Sequence, residues 1–217
     1  MTKIYLSPSM QPANIYASGG VSEETVCREI AEETKKALER CGFEVILPPI
    51  DGSLSARCAE ANNWGADLYI PIHTNAFNKS VSGTRLFCYS TSGEGYKACK
   101  AIFNNLAPLT PGTSENISAK PGLYEVKTPK APTTYIEVDF HDVPSVAKWL
   151  IEHTTEIGEA ICKGVCEYFG TAYKTNETPS ETLYKVQVGA FRNPENADKL
   201  LQKLKTYGFS DAFIVKQ

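Results

Sequence analysis

Apolar and polar positions fall along the chain in blocks that predict a parallel α/β sheet. Lys3 to Leu6 reads as a short first strand, and Ser7-Pro8-Ser9-Met10-Gln11-Pro12 opens a loop that runs to Gly19-Gly20. From Ser22, a suitable N-cap, positions 26, 30, 34, 37, 38 and 41 trace one helical face, and Gly42 is placed to end the helix. Phe43 to Leu47 is a second strand, ended by Pro48-Pro49. Ser53 caps another helix with Leu54, Cys58 and Ala61 inward, and Gly65 leads into Asp67-Leu-Tyr-Ile-Pro-Ile-His73. Four of the five residues from Leu68 to Ile72 are Leu, Tyr or Ile, the pattern of a strand buried on both faces.

Strand, helix, strand, helix, strand at this spacing predicts right-handed crossovers, hence a three-layer α/β sandwich with a mostly parallel central sheet. Gly83 to Ser90 is a further strand, and Tyr96, Cys99, Ile102, Phe103 and Leu106 give the next helix its buried stripe. Pro108 to Pro132 holds five prolines and little periodicity, interrupted by Leu123 to Val126, and reads as a long surface loop of the kind that lines sites. Thr133 to Phe140 is the last strand, and two helical stretches from Val143 to Phe169 close a first domain, residues 1–170. A polar linker, 171–182, follows. Leu183 to Phe191 alternates like a strand, Asn193 to Tyr207 is a helix with Ala197, Leu200, Leu201 and Leu204 on one face, and Ala212 to Val215 is a strand. This small βαβ unit, 183–217, needs a partner to fold securely.

The formal charge of −3 and pI near 5.7 argue against a nucleic-acid partner, because no basic excess exists to displace counterions from phosphates. No apolar run is long enough to span a membrane. The seven cysteines, at 27, 41, 58, 88, 99, 162 and 166, are odd in number and spread over apolar positions, which suits reduced core thiols. Cys162 and Cys166 are four apart on a helix with no second Cys/His pair nearby, a packing pattern and not a zinc finger. The first residues read as a strand and not as a secretion signal, so the chain is expected to be made in the cytoplasm and to act on its target after release.

Two side chains are candidates for chemistry. His73, one of three histidines, ends a buried strand, where an α/β sheet aims side chains into a crevice; on its own it reads equally as a hydrogen-bonded core histidine. Glu137 lies between Ile136 and Val138 in a strand expected to be buried, a costly place for a carboxylate unless it is paired or functional. Asp139 and Asp142 read as structural hydrogen-bonders, Asn75 as a turn residue, and Arg57 and Asn62 as holding a helix to the sheet. His153 reads as structural, at a helix junction.

Glu23 to Gly42, then Arg57, Ala61 and Asn62, then Asp67 to Ala76, then Pro132 to Glu137, resemble in order and spacing the zinc-dependent N-acetylmuramoyl-L-alanine amidases of the type 3 family, bacterial wall hydrolases and phage endolysins. The resemblance covers residues 3 to 169. It implies that Glu23 and His73 are zinc ligands and that Glu137 is the catalytic acid/base. Only the family register, nineteen residues before Gly42, selects Glu23 over Glu24. The family's first histidine ligand follows the first strand, and here Met10 stands in its slot. A thioether is a poor zinc ligand among nitrogen and oxygen donors, so Gln11, through its amide oxygen, is the first substitute. His141 is the second, since Glu137, Asp139 and His141 are spaced two apart.

The C-terminal stretch is similar to half of a sporulation-related (SPOR) repeat, whose full form binds peptidoglycan. Either the half pairs with another molecule to complete a sheet, which would make a homodimer, or it has lost the binding surface. The resemblance thus implies a hydrolase of the amide between N-acetylmuramic acid and L-alanine, with Zn2+ as cofactor and peptidoglycan as partner. The N-terminus, read without a secretion signal, leads to the expectation of a phage-type endolysin. The alternatives are a non-catalytic wall binder that has lost its zinc site, and a hydrolase of the same fold with another metal or another amide.

Overall fold

A computed structural model describes residues 1–176 and 186–215. The chain divides into two compact units, Met1–Asn176 and Glu177–Gln217. The first unit contains strands β1 (Lys3–Pro8), β2 (Glu44–Ile46), β3 (Leu68–Asn75), β4 (Arg85–Cys88), β5 (Asn116–Ala119) and β6 (Tyr135–Phe140) in the order β2-β1-β3-β6-β4-β5. Its helices are α1 (Glu23–Arg40), α2 (Leu54–Trp64), α3 (Glu94–Leu106), α4 (Tyr124–Lys127), α5 (Pro144–Glu152) and α6 (Thr154–Phe169). β2, β1, β3 and β6 are mutually parallel, and only the β4–β6 pair is antiparallel, with β5 parallel to β4.

The alternation of strand side chains separates two layers of core. Ile4 and Leu6 of β1, Leu68, Ile70 and Ile72 of β3, and Ile136 and Val138 of β6 face the large core under α1, α3, α5 and α6. Tyr5 and Tyr69, one residue out of step, face a small second core with Cys58 and Ala61 of α2. His73 and Glu137 share the parity of Tyr69 and Tyr135, so they lie on this thinner face, near the carboxyl ends of adjacent strands. β3 is central enough that seven of its eight residues are buried, which explains its nearly continuous apolar run.

Three expectations need correction. The segment 108–132 is more than a loop, because it contributes edge strand β5 and the single turn α4. Residues 171–174, expected as linker, are tied to the first unit: Tyr173 donates to Glu159 at 2.5 Å, and Arg40 donates to the Lys174 carbonyl at 2.9 Å. In the second unit the expected helix is present as α7 (Pro194–Thr206), capped by Asn193. Among the described residues, 186–191 and 212–215 are in no strand; Leu183 to Lys185 lie outside those residues.

Candidate functional site

The loop between β1 and α1 builds one wall of the cleft. Its backbone is folded by the Tyr16 amide on the Val21 carbonyl at 2.9 Å and the Glu23 amide on the Asn14 carbonyl at 2.8 Å. Gly19 has φ +81, and a Cβ there would fall 2.6 Å from the Ile151 side chain. Ser22 caps α1 by accepting from the Thr25 amide. The first residue of the helix, Glu23, is therefore held rigidly over the end of β3.

Glu23 Oε1 lies 2.9 Å from His73 Nδ1, and Asn14 Nδ2 donates to Glu23 Oε2 at 2.7 Å. Of the two adjacent carboxylates it is thus Glu23 that turns to His73. Both side chains are buried. Burial raises the Glu23 carboxyl, but its hydrogen bonds to His73 and Asn14 outweigh that and hold it below the ordinary range. Gln11 approaches the same imidazole nitrogen, its Nε2 3.4 Å from His73 Nδ1 and its Oε1 accepting from Asn14 at 2.8 Å.

Glu125, on α4, closes the other side of the imidazole. Its Oε1 accepts from Ser7 Oγ at 2.6 Å and from Tyr69 OH at 2.7 Å. Its Oε2 lies 3.9 Å from His73 Nε2, an ion-pair distance and too long for a hydrogen bond. Tyr135 stacks on the imidazole with ring centroids 4.7 Å apart. Burial lowers the His73 pKa, but Glu125, Glu23 and Glu137 together raise it to about 9. Glu125 was not singled out from the sequence, although Tyr124-Glu125-Val126 sets a carboxylate between apolar residues just as Ile136-Glu137-Val138 does.

Glu137 is paired in register with His73 across the β3–β6 ladder. Burial raises its carboxyl to about 7; nearby His73 lowers it and Glu23 raises it. Its Oε2 is buried without a hydrogen-bond partner, as are His73 Nε2 and Ser9 Oγ. His73 and Glu137 are ladder neighbours, so two of these orphaned atoms belong to adjacent side chains whose hydrogen-bonding capacity the described residues leave unused.

His141 is not brought into this group. β6 ends at Phe140, and the imidazole turns to Thr74, whose hydroxyl and carbonyl lie 2.9 and 3.1 Å from Nδ1. It also stacks on Tyr16 with centroids 4.9 Å apart. The spacing of two from Glu137 fails as a guide because the extended strand stops first. Asp139 binds the Gly83 and Gly112 amides at 2.7 and 3.2 Å, and Asp142 those of Phe77 and Lys79 at 2.9 Å each. Arg57 ties α2 to the Pro8 carbonyl at 2.6 Å. Asn62 instead holds the segment after α4, accepting from the Lys130 amide at 2.7 Å. His153 meets the Trp149 carbonyl at 2.8 Å.

Two ligands on one tetrahedral zinc, with bonds of about 2.0–2.2 Å, stand about 3.3–3.6 Å apart. The Glu23–His73 pair, hydrogen-bonded at 2.9 Å, would have to open by about half an ångström to reach that spacing, and its donors suit the ion. Separately, Cys41, at the end of α1, joins Cys162 and Cys166 of α6 so that the three thiol sulfurs lie within 4.8 Å of one another. Burial raises the Cys162 and Cys166 thiols, the latter to about 12.

A family model described as N-acetylmuramoyl-L-alanine amidase matches residues 10–167, and a SPOR domain model matches residues 180–217. The sporulation-specific N-acetylmuramoyl-L-alanine amidase of Bacillus subtilis (strain 168) is 26% identical over 222 residues, spanning 100% of this chain and 86% of that protein. The N-acetylmuramoyl-L-alanine amidase CwlM of Bacillus licheniformis is 25% identical, spanning 99% and 85%. Among solved structures, the catalytic domain of the amidase CwlV from Bacillus (Paenibacillus) polymyxa var. colistinus matches with a TM-score of 0.72 at 17% identity. That match covers 79% of this chain and 100% of the other and is a likeness of fold.

Proposed function

Because the chain belongs to the N-acetylmuramoyl-L-alanine amidase family, we propose that the cleft between Glu23, His73 and Glu137 is its active site. There it cleaves the amide between the lactyl carbonyl of N-acetylmuramic acid and the L-alanine of the peptidoglycan stem peptide. The family is typically metal-dependent, and the Glu23–His73 pair fits zinc, so these two side chains would hold it. Bound there, zinc supplies a Lewis acid that polarises the scissile carbonyl and makes water a better nucleophile.

The remaining work falls to the chain's own residues. Glu137 takes the proton of the attacking water and delivers it to the departing alanine nitrogen, which an amide needs because an amine leaves poorly unprotonated. Its carboxyl, raised to about 7 by burial, exchanges protons readily near neutrality. Asn14 fixes the Glu23 carboxylate, and Glu125 and Tyr135 fix the imidazole plane, so the site is oriented before substrate arrives. The amidase and SPOR matches together make peptidoglycan the partner, and we propose that the C-terminal unit pairs with a second copy of the chain.

The observation that carries the catalytic assignment is the unpartnered, buried Glu137 Oε2 beside His73 in the strand ladder. Glu137→Gln keeps the shape and removes the base. The release of L-alanine amino termini from purified cell walls should fall by about 10²–10⁴-fold. Wild-type rates in this variant would remove Glu137 from the mechanism.

A further inference from the structure

We infer that Gln11 stands in for the missing imidazole as third protein ligand, through its side-chain amide oxygen, so that the metal site has a carboxylate, an imidazole and an amide. This rests on the active-site reading above and names the donor that reading lacks. The β1–α1 loop carries the Gln11 amide to 3.4 Å from His73 Nδ1, the same nitrogen that lies 2.9 Å from Glu23 Oε1. Glu23, from the start of α1, and Gln11, from the loop, thus both approach the Nδ1 atom of His73 on β3.

The amide presents its Nε2 end to His73, and a half-turn of its terminal torsion exchanges that end for Oε1. The exchange costs the 2.8 Å hydrogen bond from Asn14, because it sets the Gln11 NH2 group against the donor Asn14 Nδ2. The bond from Oε1 to the metal must outweigh that loss; Gln11 is exposed, and Asn14 keeps its 2.7 Å bond to Glu23 Oε2. Met10 offers only a thioether, a soft donor that matches neither of its neighbours. His141, the other imidazole considered, is engaged by Thr74 and Tyr16.

The donor set has a consequence. Exchanging an imidazole for a neutral amide oxygen weakens the preference for zinc and brings oxygen-seeking Mn2+ closer to it in affinity. A Gln11→His variant should reverse this, binding zinc more tightly and widening the gap between zinc and Mn2+.

The test is a titration of the full-length, metal-stripped protein with Zn2+ against a chromogenic chelator, repeated for Gln11→Ala, Met10→Ala, Gln11→His and His73→Ala. Gln11→Ala should weaken zinc binding on the order of 100-fold, Met10→Ala should bind as the wild type does, and Gln11→His should bind more tightly. With Co2+ as probe, the visible spectrum should change in Gln11→Ala and gain the signature of an added nitrogen donor in Gln11→His. If Gln11→Ala binds zinc as tightly as the wild type while His73→Ala loses it, the inference on Gln11 falls and the active site stands. If His73→Ala also binds unchanged, the metal assignment itself falls.

Discussion

Glu125 is a full-time acceptor. One oxygen takes two hydroxyl donors, from Ser7 and Tyr69, and the other stays near His73 Nε2. Burial would raise such a carboxyl, but the imidazole and the two hydroxyls outweigh it and hold the pKa below the ordinary range. A negative charge on the nitrogen opposite Glu23 fixes the ring's orientation and strengthens its donor face. Glu125→Gln keeps the volume and halves the acceptor capacity, and kcat on cell walls should fall about 10–100-fold with KM little changed. Unchanged kcat in steady-state kinetics would make Glu125 a packing residue. The residue was legible in principle, since the rule that singles out Glu137, a carboxylate between apolar neighbours, holds for it too. Four residues amid prolines show no period, and a rule about burial needs an element to be buried in. His141 shows the converse, a spacing that is informative only while the strand lasts.

Helix α6 owes its depth to two glycines. A Cβ at Gly164 would sit 2.3 Å from the Ile102 Cα of α3, and one at Gly158 would sit 2.8 Å from the Thr34 amide nitrogen of α1. Backbone therefore meets backbone on both sides, which explains how one helix can seal the large core against two others. Alanine is the better helix former by about 1 kcal/mol, so an isolated helix would gain from Gly164→Ala. In the fold the overlap wins, and the variant should lose about 1–3 kcal/mol. Thermal melts would read this as a drop of several degrees, against Gly122→Ala, where nothing lies within 4 Å, as the neutral control. Equal melting temperatures would show that α3 and α6 can part at little cost. The long helices and buried strands were readable because each repeats its signal over several turns or pairs. Edge strand β5, Asn116-Ile-Ser-Ala119, is four residues with none buried, and so leaves no pattern to read.

At the level of the whole molecule, the order of blocks gave the parallel sheet, but not the place of β4 and β5. Their reversal depends on which edge the chain returns to, a long-range choice with no local trace. The second unit poses the opposite problem, since its sequence pattern is clear and no partner strand lies among its described residues. α7 buries none of its residues, and Val186, Val188, Phe191, Phe213 and Val215 are exposed, Val186 at 85% and Phe213 at 75%. About forty residues cannot bury enough apolar surface to offset their ordering entropy alone. Alternating residues such as Val186 and Val188 become strands when a neighbouring backbone supplies the ladder, and a second copy supplies an identical one. Sedimentation of the full chain at tens of micromolar should give a species of twice the 23.8 kDa of one chain. Val186→Lys with Val188→Lys, which sets like charges into the join, should return it to the monomer. Neither substitution alters Glu23, His73 or Glu137, so release of alanine termini from soluble wall fragments should persist while retention on intact walls weakens. A wild-type chain that sediments as a monomer at every concentration would mean that the half repeat folds on the wall itself, with glycan in place of the second copy.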